Sequence, residues 1–207
     1  MRNRTLLVAT TLSLSCLTTV SLCHAQHQAE IIEVQKIWDA GRHNAFTDLI
    51  RFNDHWVCTF REGSHHGNAE DGNVRVIASQ DGKEWQSFAL LESTKVDLRD
   101  PKISITPDGQ LMMDTVLAFV KPVDGVRHRS QTFFSKDGKT WEGPVVKGDD
   151  NFWLWRSAWH KKKCYVVGYR TTLPREQRIT RLYRSDDGRD FTSHVDQLYD
   201  EGAAGES

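Results

Sequence analysis

The sequence predicts an all-β chain built from repeated four-stranded blades, the arrangement of a β-propeller. Three observations lead there. One heptapeptide recurs three times: Ser79-Gln80-Asp81-Gly82-Lys83-Glu84-Trp85, Ser135-Lys136-Asp137-Gly138-Lys139-Thr140-Trp141 and Ser185-Asp186-Asp187-Gly188-Arg189-Asp190-Phe191. Its spacings, 56 and then 50 residues, fall near the period of blade repeats. Between the copies lie short β-branched and aromatic runs bounded by Gly, Asp or Asn, such as Trp56-Val57-Cys58-Thr59-Phe60, Val74-Arg75-Val76-Ile77 and Tyr165-Val166-Val167. No stretch of a dozen residues carries a helical apolar stripe.

The heptapeptide reads as a turn. Gly tolerates a positive φ at a hairpin tip, Asp bonds nearby backbone amides, and the closing Trp or Phe packs back on the blade. Its aspartates are therefore structural. The expected blades run from about 42 to 85, 99 to 141 and 156 to 191, with a fourth beginning in 192–207. Each opens with an arginine: Arg42-His43-Asn44, Arg99-Asp100-Pro101 and Trp155-Arg156-Ser157. In the first and third, a second strand ends in an aromatic and an arginine, Phe60-Arg61-Glu62 and Tyr169-Arg170. Antiparallel alternation puts the start of strand one and the end of strand two at one end of a blade, and the heptapeptide at the other. Arg42, Arg61, Glu62, Arg99, Asp100, Arg156 and Arg170 are thus expected at one mouth. Arginines suit an anionic sugar there, because guanidinium matches carboxylate bidentately. Blade-to-blade salt bridges are the alternative use for each.

Before the repeats, residues 1–25 have the layout of a secretory signal peptide: Arg2 and Arg4, an uncharged Leu6–Leu22 stretch diluted by seven Ser and Thr, then Cys23-His24-Ala25. At 17 residues the stretch is short for a membrane span of ~20. The expected location is secreted or periplasmic, with no membrane span after signal removal. Removing Arg2 and Arg4 leaves 25 of the 27 basic residues against 28 acidic ones, a formal charge of −3, which gives no support to a nucleic-acid partner. Cys58 and Cys164 remain, each in an apolar strand-like run. Two buried free thiols are expected rather than a disulfide framework. No cofactor and no metal are expected, since neighbouring His65 and His66 would point to opposite faces of a strand.

With these motifs in hand, the chain resembles the sialidase (neuraminidase) superfamily over about residues 38–207. The Ser-x-Asp-Gly-x-x-Trp/Phe repeats are similar to its Asp boxes. The resemblance implies a six-bladed propeller, of which only about three to four blades are present, and a secreted exo-glycosidase releasing terminal sialic acid or a related anionic sugar from glycans. Such enzymes hold the substrate carboxylate with three arginines and use a Tyr nucleophile activated by a Glu, with an Asp as acid/base. Arg42 resembles the first of those arginines, although Arg-His-Asn replaces the usual Arg-Ile-Pro. Arg61 resembles a further active-site arginine, Asp100 the sugar-contacting Asp of an Asp-Pro pair, and Glu206 the activating Glu. The acid/base belongs in the loop after Arg61, where Asp71, His66 and Glu70 are the candidates. Asp71-Gly72 also reads as a simple hairpin turn. The remaining two arginines and the Tyr would follow Ser207, so little or no turnover is expected of this chain alone. A glycan-binding propeller without catalysis and a gene remnant are the competing readings.

Overall fold

A computed structural model describes residues 30–67 and 69–199. Residues 30–34, the described part of an N-terminal unit (Met1–Val34), have no regular secondary structure, and a second unit (Gln35–Ser207) contains every strand. Residues 1–25, expected to be a signal peptide, and Glu206 lie outside the described residues.

Three antiparallel sheets follow one another along the chain. The first has the order β1 (His43–Phe52), β2 (His55–Gly63), β3 (Asn73–Ser79), β4 (Gln86–Leu91). The second has β5 (Asp97–Ile105), β6 (Leu111–Val123), β7 (Val126–Ser135), β8 (Glu142–Val146). In the third, β9 (Phe152–Leu154) and β10 (Ala158–His160) both pair with β11 (Lys163–Arg170), followed by β12 (Thr180–Ser185) and β13 (Thr192–Tyr199). Neighbours in sequence are neighbours in the sheet, so each sheet is an up-and-down blade.

Period-two alternation holds at the start of β3, where Val74 and Val76 are buried and Asn73 and Arg75 are half-buried, and gives way to the fully buried run Ile77-Ala78-Ser79. It fails in β6, where Leu111, Met112 and Met113 are all buried, because a blade of the middle sheet is covered on both faces. One face of β6 meets the first blade: Leu111 and Ile103 pack with Phe52, Val57, Val76 and Ala78, while Met113 and Leu98 pack with Val74. The other meets the third blade through Met112, Phe134 and Cys164, and through Val116, Ala118, Trp153 and Tyr169. The outer strands β4, β8 and β13 are largely exposed.

The heptapeptides form the three turns between third and fourth strands. In each, the Ser hydroxyl accepts a hydrogen bond from the Gly amide (2.8, 2.8 and 2.9 Å), and the Asp carboxylate accepts from the next two amides, such as Lys83 N at 2.8 Å and Glu84 N at 2.9 Å. Trp85 and Trp141 donate their indole N–H to the Gly carbonyl. The three glycines have φ of 77°, 75° and 75°, the left-handed region open to glycine.

This placement corrects the expected boundaries. A third-to-fourth turn is followed by the fourth strand of the same blade, so each blade ends beyond its Trp or Phe. Residues 192–199 accordingly complete the third blade on β12, with Thr180 opposite Tyr199, and do not begin a fourth. Cys58 and Cys164 are buried and unbridged. Burial pushes the Cys58 thiol up to about 12, with the Asp48 charge adding to it. Among the described residues, no helix is long and apolar enough to cross a membrane.

Candidate functional site at the mouth of the inner strands

The inner strand of every blade is broken at an equivalent point. In β1, Ala45 lies opposite Arg61 and Asp48 opposite Thr59, so Phe46 and Thr47 face Phe60 alone. In β5, Arg99 lies opposite Val116 and Lys102 opposite Asp114, so Asp100 and Pro101 face Thr115. In the third blade the break widens to Trp155, Arg156 and Ser157, between β9 and β10. Phe46 and Asp100 take φ of 62° and 51°. Such bulges bend a strand and re-aim its side chains, and non-glycine residues in this region carry strain of order 1–3 kcal/mol. Pro101 has no N–H to give the ladder, which a bulge tolerates.

Asp48 ties the three breaks together. It accepts the Ile103 amide at 2.8 Å and the Arg156 guanidinium at 2.6 Å, joining β1 to β5 and to the segment between β9 and β10. Lys102 stands among the same groups. Burial lowers its pKa, Asp48 and Asp100 oppose that shift, and Arg156 adds to it. Its ammonium lies 5.8 Å from the Trp155 ring centre, and Trp155 is 37% exposed. Arg99 is stacked between Phe46 (5.0 Å) and Trp153 (5.2 Å), with its Nε 4.0 Å from Asp100 Oδ1. Asp100 is buried. His128 packs edge-on against Trp153 at 5.0 Å and shares a 2.7 Å hydrogen bond with Thr171. Burial and then the charges of Arg99 and Arg127 push its pKa down to about 4.

The expected residues divide. Arg156 and Asp100 lie in this cluster. Arg42, just before β1, and Arg170, at the end of β11, are exposed at the same end. Arg61, expected to bind sugar, is fully buried; its Nε donates to Asp97 at 2.6 Å and its Nη1 to the His65 carbonyl at 2.5 Å, at the junction between the first two blades. Gly72 makes that pair possible, since a Cβ there would stand 1.8 Å from Asp97 Oδ1. Asp71, expected as an acid/base candidate, accepts the Ser64 amide and hydroxyl at 3.1 and 3.0 Å. Slight burial raises its pKa, but those bonds and Arg61 outweigh this and the net shift is downward. Glu70 is exposed in the same loop, and His66 meets His43 and Phe46. Glu62, expected at the mouth, binds Trp38 and Arg75 instead.

Asp48 and Lys102 were not singled out by sequence. A lone acid in the run Ala45-Phe46-Thr47-Asp48-Leu49-Ile50 was the available signal for Asp48. Together the cluster offers two carboxylates, an ammonium, a guanidinium and an accessible indole, a set able to hydrogen-bond and stack on a sugar. Among the described residues, no three His, Cys, Asp or Glu side chains converge as metal ligands.

No protein-family model and no curated relative matches the chain. Solved structures do. An α-L-arabinanase from Penicillium chrysogenum, complexed with arabinobiose, aligns with a TM-score of 0.59 and 16% identity over 78% of this chain and 51% of that one. The α-L-arabinofuranosidase of Fusarium graminearum gives 0.58 and 16% over 77% and 50%. A family 117 glycoside hydrolase from Zobellia galactanivorans gives 0.53 and 14% over 73% and 55%. The chain spans about half the length of the structures it matches. Its fold, three consecutive antiparallel sheets of four, four and five strands, is consistent with the propeller-like fold of these glycoside hydrolases.

Proposed function

We propose that the chain is part of a secreted glycan-active propeller whose sugar site lies at the inner-strand breaks, around Asp48, Asp100, Lys102, Trp155 and Arg156. The observation that carries this reading is Asp48, which gathers three separate bulges around one buried carboxylate. Strained, bulged backbone beside buried charge is a feature of binding sites. Glycoside hydrolysis uses a pair of carboxyl groups, and Asp48 and Asp100 are the acids this mouth offers. The resemblance in the motifs and the likeness in fold support a glycosidase ancestry. Release of a terminal anionic sugar such as sialic acid is the finer reading. It is supported by the cationic rim of Arg42, Arg156 and Arg170, and weakened by the commitment of Arg61 to Asp97.

The test is titration of purified residues 26–207 with arabinobiose, sialyllactose and lactose, followed by NMR, with release of free sugar assayed in parallel. Saturable binding without turnover is expected, lost in Asp48→Asn and Asp100→Asn. A preference for sialyllactose over lactose supports the anionic reading. Absence of binding to all three sugars sinks the proposal.

A further inference from the structure

We propose that His43 and His66 form a two-imidazole site for a divalent transition metal of the zinc, nickel or copper class, which fastens the loop between β2 and β3 to the start of β1. His43 Nε2 and His66 Nδ1 face each other at 3.1 Å. Two metal–nitrogen bonds of roughly 2.0–2.1 Å, meeting at an angle between octahedral and tetrahedral, place their nitrogens roughly 2.9–3.4 Å apart. The observed spacing lies inside that window. Without metal the contact is a ring-to-ring N–H···N hydrogen bond whose donor and acceptor depend on the tautomers. An entering ion sits to one side of the line between the two nitrogens, so each ring turns to aim its lone pair at it.

The two rings are presented by different elements. His43 is the first residue of β1, fixed by pairing with Gly63. His66 belongs to the following loop, and its ring packs on Phe46 at 4.8 Å, the residue whose left-handed backbone makes the first bulge. The ring planes stand 86° apart, so the imidazoles do not crowd each other around a common ion. The adjacent His65 turns its Nδ1 to Ser64 Oγ at 2.7 Å. Both ligands are imidazoles, and Arg99 stacks on the same Phe46 ring. Two imidazole donors favour ions that bind nitrogen strongly over calcium and magnesium, which take oxygen ligands. Water completes the coordination. This proposal does not depend on the sugar reading.

The experiment is calorimetric titration of the untagged chain with zinc chloride near neutral pH, with the melting temperature recorded with and without zinc. One saturable site is expected, together with a zinc-dependent rise in melting temperature. His43→Gln and His66→Gln should each weaken binding by at least ~10-fold while leaving the zinc-free melting temperature unchanged. His194→Gln, whose ring packs on Tyr165 in the third blade, should bind as the parent does. Three results overturn the proposal: no saturable binding up to about 1 mM zinc, binding in both glutamine variants as tight as the parent's, or binding that disappears with Cys58→Ser or Cys164→Ser instead.

Discussion

His128 shows what single-residue burial does to titration at this mouth. Packed against Trp153 and beside Arg99 and Arg127, its ring resists protonation until pH falls to about 4, against an ordinary value of 6.5. In the unfolded chain the same ring takes its proton near 6.5. Between those two values the unfolded state binds more protons than the folded one, so stability declines as pH falls from 6.5 towards 4 and this contribution is flat below 4. We expect the urea midpoint to drop across that window, and His128→Gln to flatten the drop while the parent retains it. An identical slope in the variant would assign the effect elsewhere. The turn carboxylates are separable by pH. Asp81 and Asp137 have lowered pKa values because they accept backbone amides, so whatever they contribute is present above the ordinary carboxylate value of 3.8 and is lost only as pH falls below it.

At the scale of elements, the blade turn is a local code. Its hydrogen bonds span two or three residues, between Ser135, Asp137, Gly138, Lys139 and Thr140, so seven consecutive side chains specify it. Gly138 has a φ of 75°, and a Cβ there would meet Phe88 at 3.4 Å, an ordinary contact. The cost of Gly138→Ala is therefore conformational, about 1–2 kcal/mol, and should appear as a lower unfolding midpoint with unchanged denaturant slope. A neutral result would mean the turn relaxes to a negative φ. This locality is why the three turns were legible in the sequence, while the expected start of a fourth blade was not confirmed, since 192–199 pair with β12. The bulges were not, because a bulge is a mismatch in register between two strands and leaves no fixed residue signature. Asp48 was missed for a related reason. Its partners Ile103 and Arg156 lie 55 and 108 residues away, so its role exists only once the blades stand side by side. Arg61 shows the converse: its position at a strand end was read correctly, but its partner Asp97, 36 residues on, turns a candidate ligand clamp into a joint.

For the whole second unit, the joints between blades are buried ion pairs set in apolar seams. Arg61 and Asp97 join the first blade to the second. Asp114 binds Lys147 at 2.5 Å and the Ser157 amide at 2.8 Å, joining the second to the third. Asp48 and Arg156 connect the first to the third, but Arg156 has a 48% exposed side chain, and such half-solvated pairs contribute at most about 1 kcal/mol. Stability in a stack of repeats is close to a sum of blade terms and neighbour terms, so removing one buried joint should act mainly on the blade beyond it. Lys147→Met leaves Asp114 buried without its ammonium, a loss on the order of 3–5 kcal/mol. We expect hydrogen exchange in β11 and β12 to accelerate strongly, while β2 and β3 keep their protection, and chemical unfolding to separate into two steps. Uniform acceleration through all three sheets would mean instead that the blades unfold as one cooperative body, and that the apolar seams of Leu111, Met113 and Val74, rather than the ion pairs, set the coupling between them.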